Sequence, residues 1–305
     1  MQNARTSSPS RELALVGLAA LVFATSGPVA KLIGTIHPLA VASGRTGLAA
    51  LGLMLWDGPR IVRVWRGATR SDVWKGLAAG VLLACHFAAY LWGLATTSLA
   101  AASALISLEP VAVLAVAALV QGLHPRATEV VGVIVATVGA GIVSSAAGDG
   151  DHRLVGDLLV VASVFLYGFY VAVAREVRPE MEGRPYAAFV YVIASLVILP
   201  VLPFVDGALR APSARDSFAV LVLALFPTLV GHTLVQRAAS RVRPAVLALV
   251  SPGETIGSIA IGAFMLRMPP SLREGIGIAV VLLGTTLAAS AGHENEEMRA
   301  DPGGS

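Results

Sequence analysis

The chain is poor in charge and nearly devoid of cysteine. Only 13% of its 305 residues are Asp, Glu, Lys or Arg, about half the roughly one quarter usual in a soluble domain. With a mean hydropathy of +0.77, no water-soluble core of this size could hide its apolar residues. The single Cys85 excludes an internal disulfide and any cysteine-based zinc site. There is no GxxxxGK[ST] phosphate loop, no HExxH, no GxSxG and no cluster of His and Cys, so nothing points to ATP hydrolysis or soluble-enzyme chemistry. No metal and no cofactor are expected. The net charge of +3 does not indicate nucleic acid, because the basic residues collect at the ends of apolar stretches.

Those apolar stretches recur at the roughly 20 residues needed to cross a bilayer, which makes this a polytopic membrane protein. Ten spans are expected, near residues 12–34, 37–56, 74–95, 98–121, 128–147, 155–175, 186–205, 217–238, 243–266 and 272–291. They must be helices, since backbone exposed to lipid has to hydrogen-bond to itself and no alternating barrel pattern is present. The first resembles a signal peptide, with Arg5 and Arg11 before an apolar run. That run continues past Ala24 through Gly27 and Pro28 to Gly34, and it reads as an uncleaved first helix. The longest connection, residues 57–73, is basic and is expected to form a surface segment. Residues 292–305 are acidic and Gly-ended, and are expected to be a disordered cytoplasmic tail. With the N-terminus inside, the inner side receives 15 basic residues and the outer side 6, Arg45 in the second span being left out. The positive-inside rule therefore puts both termini in the cytoplasm.

One shift of 145 residues aligns the two halves. It pairs Glu109 with Glu254, Glu12 with Asp157, Pro125 with Pro270, Glu129 with Glu274, Gly132 with Gly277 and Gly139 with Gly284. Residues 12–147 and 155–291 thus form two five-helix repeats. An odd number of helices sends the second copy into the membrane from the opposite side, so the repeats are inverted. The expected fold is an all-α membrane protein of ten transmembrane helices in two inverted five-helix repeats, an architecture that holds substrate near the bilayer midplane.

Four ionisable residues fall near that midplane: Arg45, His86, Glu109 and Glu254. Each costs about 2.5–3.5 kcal/mol on insertion scales, so they should face one another or a wet cavity. Glu109 reads either as a substrate or proton site or as helix glue paired with Arg45. Pro110 removes a backbone donor and frees a carbonyl one turn earlier. Glu254 shares a helix face with Ser251, Gly257 and Ser258, while Gly253 and Gly257 form a GxxxG packing pair. His86 and Tyr90, four apart, share a face of the third span. His86 reads as a proton-coupling group or as a core histidine bonded to a helix carbonyl. His232 and Gln236 form a similar pair in the eighth span. Arg45 reads as an anchor for a substrate carboxylate or as a partner for Glu109 or a helix end. Lys31 is expected to snorkel to the interface. Tyr167 and Tyr170 read as cavity wall or as packing.

Four stretches carry a resemblance: ASALISLEPVAVLAVAALV, GHTLVQRAASRVRPAVLALVSPGET, SGRTGLAAL and GDLLVVASVFLYGFYVAVAREV. They are similar to the fourth, eighth to ninth, second and sixth helices of EamA-type members of the drug/metabolite transporter superfamily, and the likeness spans residues 12–291. By this matching Arg45, Glu109, Pro110, His232, Gly253 and Glu254 fall on family motif positions. Where such proteins often carry Gly-Glu, this chain has QGLHP and LRMPP, without the acid. The resemblance implies a secondary transporter, a proton-linked exporter of a small amino acid, metabolite or amphipathic organic compound, in a bacterial inner membrane. Its partners would be that small molecule, protons and the lipid bilayer. A membrane-embedded enzyme or accessory subunit using Glu109, His86 and Glu254 as acid/base groups is the alternative.

Overall fold

The computed structural model describes residues 9–122, 126–146, 152–174, 176–178, 181, 183–231, 234 and 250–300. Among them there is no strand. The helices are α1 (Pro9–Ala24), α2 (Ser26–Lys31), α3 (Pro38–Arg66), α4 (Arg70–Thr96), α5 (Leu99–Ile106), α6 (Glu109–Gln121), α7 (Ala127–Ser144), α8 (Leu154–Ala174), α9 (Arg184–Ile198), α10 (Ala214–Leu223), α11 (Val250–Met265) and α12 (Leu272–Ala300). A 3₁₀ stretch, Leu199–Phe204, extends α9, and a π-helical stretch, Ala224–Gly231, extends α10. Seven described helical segments are long and apolar enough to cross a bilayer, and they coincide with the expected second to eighth spans. Gly17–Lys31 is a shorter apolar segment at the first. The outward faces carry Leu55, Trp56, Leu119, Phe204 and Phe264, each more than half exposed, as lipid contact requires.

Local sequence explains the helix ends. Thr69 and Asp72 form a capping box at the start of α4, and the Ser98 hydroxyl accepts from the Ala101 amide at the start of α5. Such caps satisfy amides that the first helical turn leaves unpaired. Glu129 and Glu274, matched by the repeat, play the same part: each carboxylate accepts a backbone amide three residues earlier, from Arg126 and Ser271, at 2.7 Å.

Packing follows the duplication. The repeat-equivalent helices α3 and α9 run antiparallel, with Ser43 against Ser195 and Trp65 Nε1 donating to the Pro185 carbonyl. The equivalent pair α7 and α12 is antiparallel too. A Cβ at Gly139 would lie 2.5 Å from the Val281 nitrogen and one at Gly277 2.7 Å from that of Val143, and Gly284 is pressed onto Ala136 more closely still. The glycines matched by the 145-residue shift are therefore one helix crossing, where small residues let backbones meet. The contacts α1 to α11 and α8 to α6 are likewise symmetry mates.

The charged connections separate to two ends. At one, Arg178 pairs with Asp72 at 2.7 Å, Lys75 with Glu176 at 3.3 Å and Arg184 with Asp57 at 3.2 Å. At the other, Thr97 donates to Asp157 at 2.6 Å, Ser98 to Glu274, and His152 lies 2.9 Å from Asp157 and 3.3 Å from Glu274. Lys31 does not simply snorkel, since its Nζ donates to the Thr97 carbonyl at this second end, at 2.6 Å.

Helix runs past two expected span ends. Residues 57–73 are mostly helical: α3 kinks at Asp57 (φ −141°, ψ 25°) and continues to Arg66, three residues before Thr69 caps α4. Pro59 lacks an amide donor and fits the start of the new helical stretch after the kink. At the C-terminus α12 continues as helix through Ala300. The sequence that predicts disorder from Gly292 is low in hydropathy but rich in helix formers such as Glu, Met and Ala.

Candidate functional site

The fourth span breaks where Pro110 requires it. α5 ends at Ile106, Ser107 and Leu108 form a turn, and α6 restarts at Glu109 with Pro110 in its first turn. A proline is tolerated there because the first-turn amides have no helical partner. Glu109 thereby stands at the positive end of a helix, within the bundle. The Ser107 hydroxyl donates to the Ala104 carbonyl at 2.6 Å, occupying one of the acceptors near the break.

The eighth span is interrupted by Pro227, and the chain adopts the wider π register over Ala224–Gly231. Thr228 consequently donates its hydroxyl hydrogen to the carbonyl five residues back, Leu223, at 2.8 Å. Thr46, in a regular helix, bonds to carbonyls three and four back. The Tyr191 hydroxyl donates to the Thr228 carbonyl at 3.2 Å, which braces the π turn against α9.

Beside the broken fourth span lies a cavity of about 310 Å³ whose walls include Phe23, Ser26, Arg45, His86, Phe87, Tyr90, Glu109, Pro110, Tyr167, Ser251 and Glu254. Arg45, His86, Tyr90, Glu109 and Glu254, separated by up to 209 positions in sequence, thus meet on one surface. Glu109 and Glu254 are half-buried, in contrast to the buried capping acids Glu129 and Glu274. Glu254 is within electrostatic reach of both Arg45 and Glu109.

Arg45 does not pair with Glu109. It is 3% exposed, and its Nε and Nη2 donate to the Thr228 hydroxyl oxygen at 3.0 and 2.8 Å. Its guanidinium carbon stands 4.3 Å from the centre of the Phe87 ring, a cation–π arrangement. The sequence missed Thr228 and Phe87; Pro227 inside an apolar span was the one local signal for the first.

His86 Nδ1 lies 2.8 Å from the Ser163 carbonyl oxygen. A carbonyl only accepts, so Nδ1 carries a hydrogen and the ring orientation is fixed by α8. Tyr90 stacks parallel to that ring at 6.3 Å between centres, and Tyr167 approaches it at 5.3 Å. Tyr170 packs on the core cluster beside Tyr167. On α11, Gly253 and Gly257 take the packing role: added Cβ atoms would lie 2.9 and 2.7 Å from the methyls of Ala20 and Ala24. Ser258 bonds Ser103 at 2.8 Å behind them. His232 and Gln236 lie outside the described residues.

An inverted-repeat helical bundle around a mostly apolar cavity that holds a few charged groups has the build of a secondary transporter. Residues 11–145 and 154–290 each match the EamA-like transporter family, and the chain belongs to that family. It is 25% identical over 259 residues to an uncharacterised transporter of Archaeoglobus fulgidus, covering 82% of this chain and 87% of that one. It is 26% identical over 247 residues to a probable terminal-alkyne amino-acid exporter of Streptantibioticus cattleyicolor, covering 78% and 81%. A crystal structure with a TM-score of 0.65 and 18% identity, matched over 95% of this chain and 100% of the other, shares the fold.

Proposed function

We propose that this membrane transporter is a proton-coupled exporter of a small amphipathic metabolite, of the size and kind of an amino acid, in a bacterial inner membrane with both termini in the cytoplasm. The observation that carries the reading is the meeting of two repeat-related carboxyl groups and one guanidinium on a single cavity. Burial favours the neutral form of a carboxyl group, while water or a neighbouring cation favours the charged form. A carboxylate whose surroundings change as the repeats rock can therefore exchange a proton for a substrate, and Glu109 and Glu254 take that role. The far end is tied shut through Thr97, Ser98, His152, Asp157 and Glu274, and the cavity walls reach Val171 and Val250 toward the other end. By the count of basic residues that other end is cytoplasmic, which supports export from that side. The name of the Streptantibioticus cattleyicolor relative supports an amino-acid-like substrate.

The test is flux in proteoliposomes of purified protein, with candidates drawn from metabolite profiles of medium and cells with and without the gene. Substrate flux should release protons, an imposed pH gradient should drive accumulation, and the substrate should emerge chemically unchanged. Glu109→Gln or Glu254→Gln should abolish gradient-driven flux while sparing downhill exchange. Flux indifferent to a collapsed proton gradient in the unmutated protein rejects coupling and leaves a facilitator.

A further inference from the structure

Arg45 is held in a manner that packing alone does not require. A guanidinium has five N–H donors. Thr228 receives one from Nε and one from Nη2, while Nη1 is buried without a hydrogen-bond partner among the described residues. Nη2 keeps a second N–H beyond the one it gives to Thr228. The two nitrogens at the tip of the fork thus retain donors on the edge that matches a carboxylate bidentately. Phe87 covers one face of the group, and the residue as a whole lines the cavity.

The hydroxyl of Thr228 determines this orientation. Its own hydrogen is committed to the Leu223 carbonyl, so toward Arg45 the oxygen can only accept. That commitment depends on the π register imposed around Pro227, since the partner is five residues back rather than three or four. Thr228 is fully buried, and Tyr191 holds its backbone carbonyl. A guanidinium chelated along its Nε side by one immobile oxygen can present only its tip.

We propose that Thr228 is a positioning residue that presents Arg45 as the docking point for a carboxylate group of the transported molecule. This rests on the reading of the cavity as the substrate site and adds to it a polarity for the ligand. The carboxylate lies at the α3 side, on Arg45, and the remainder of the molecule extends among Phe23, Tyr90 and Glu254. Ligands with a carboxylate are held better than ligands of the same shape without one, and the preference depends on the Thr228 hydroxyl.

Equilibrium binding to purified protein in nanodiscs, with no gradient imposed, tests this separately from coupling. Phenylalanine, phenylpropionate and phenethylamine share a ring and differ in charge. The unmutated protein should bind both carboxylates more tightly than the amine. Thr228→Val keeps the side-chain shape but removes the acceptor, and should weaken both carboxylates by about tenfold, the worth of one charge-assisted hydrogen-bond arrangement, with the amine unchanged. Thr228→Ser restores the hydroxyl and should recover most of the loss, and Arg45→Gln should abolish the carboxylate preference. The proposal is overturned if the amine binds as well as the carboxylates, if neither carboxylate binds, if Thr228→Val weakens all three probes alike, or if Thr228→Ser fails to recover what valine loses. Failure of proton coupling with the carboxylate preference intact would reject the transport mechanism and leave the docking site standing.

Discussion

Four glutamates that the repeat pairs have parted into two occupations. Glu109 and Glu254 face the cavity, whereas Glu129 and Glu274 cap helices. Spacing alone hid the difference. A capping carboxylate is satisfied by an amide three residues away in its own chain, while a cavity carboxylate faces elements contributed by distant sequence. The two kinds should respond differently to substitution. Glu129→Ala should cost about 1 kcal/mol through the lost cap, visible as a lower melting temperature of the solubilised protein, with proton coupling retained. Glu109→Gln should do the reverse, leaving the melting temperature close to normal and removing gradient-driven flux. A Glu129→Ala protein of normal stability that has lost coupling would overturn the division. His86 shows the same dependence on remote chain: its place along the third span was legible, but the Ser163 carbonyl that fixes its ring lies 77 residues away.

Three of the departures from regular helix each place something. The break at Ser107 and Leu108 sets Glu109 at a helix start, the π turn at Pro227 sets Thr228 against Arg45, and the kink at Asp57 turns α3 toward Arg184. Proline at 110, 227 and 59 accompanies each one, because it removes a donor and crowds the preceding turn. The regular elements α7 and α12 depend instead on closeness. Replacing Gly139 by Val should push their backbones apart and cost about 1–3 kcal/mol by overpacking, read as a fall in melting temperature. Gly141→Ala, on the same helix where an added Cβ meets nothing within 4 Å, should be neutral and serves as the control. At the far end, Asp157→Asn and Glu274→Gln should each loosen the ties among α8, α12 and the α4–α5 connection. A cysteine at the buried Ala100 should then react faster with a membrane-impermeant maleimide than it does in the otherwise unmutated protein, and an unchanged rate would show that these ties do not hold that end closed.

For the whole molecule, the separation of charged connections to two ends makes topology testable. Labels at residues 67–69 should report cytoplasm and labels at residues 267–271 the outside; finding both on one side would break the inverted arrangement. The sequence by itself determined that the chain is a helical membrane protein, because apolar runs of bilayer length admit no other backbone pairing. It also determined the duplication, since a single shift aligns acids, prolines and glycines at once. A common level for Arg45, His86, Glu109 and Glu254 could be expected from the sequence, because position along a helix is counted in residues. Tertiary structure alone decided rotation and partnership. Which neighbour each helix presents a side chain to is set by packing between segments distant in sequence, as for Arg45 and Thr228, 183 residues apart. That is why a salt bridge between Arg45 and Glu109, reasonable from depth alone, gave way to a threonine on a π turn. The repeat glycines were visible as a pattern, but only the crossing of α7 and α12 showed why they are small. A one-dimensional chain records what each residue is and how deep it lies, whereas the contacts that give it work arise when two inverted halves close on each other.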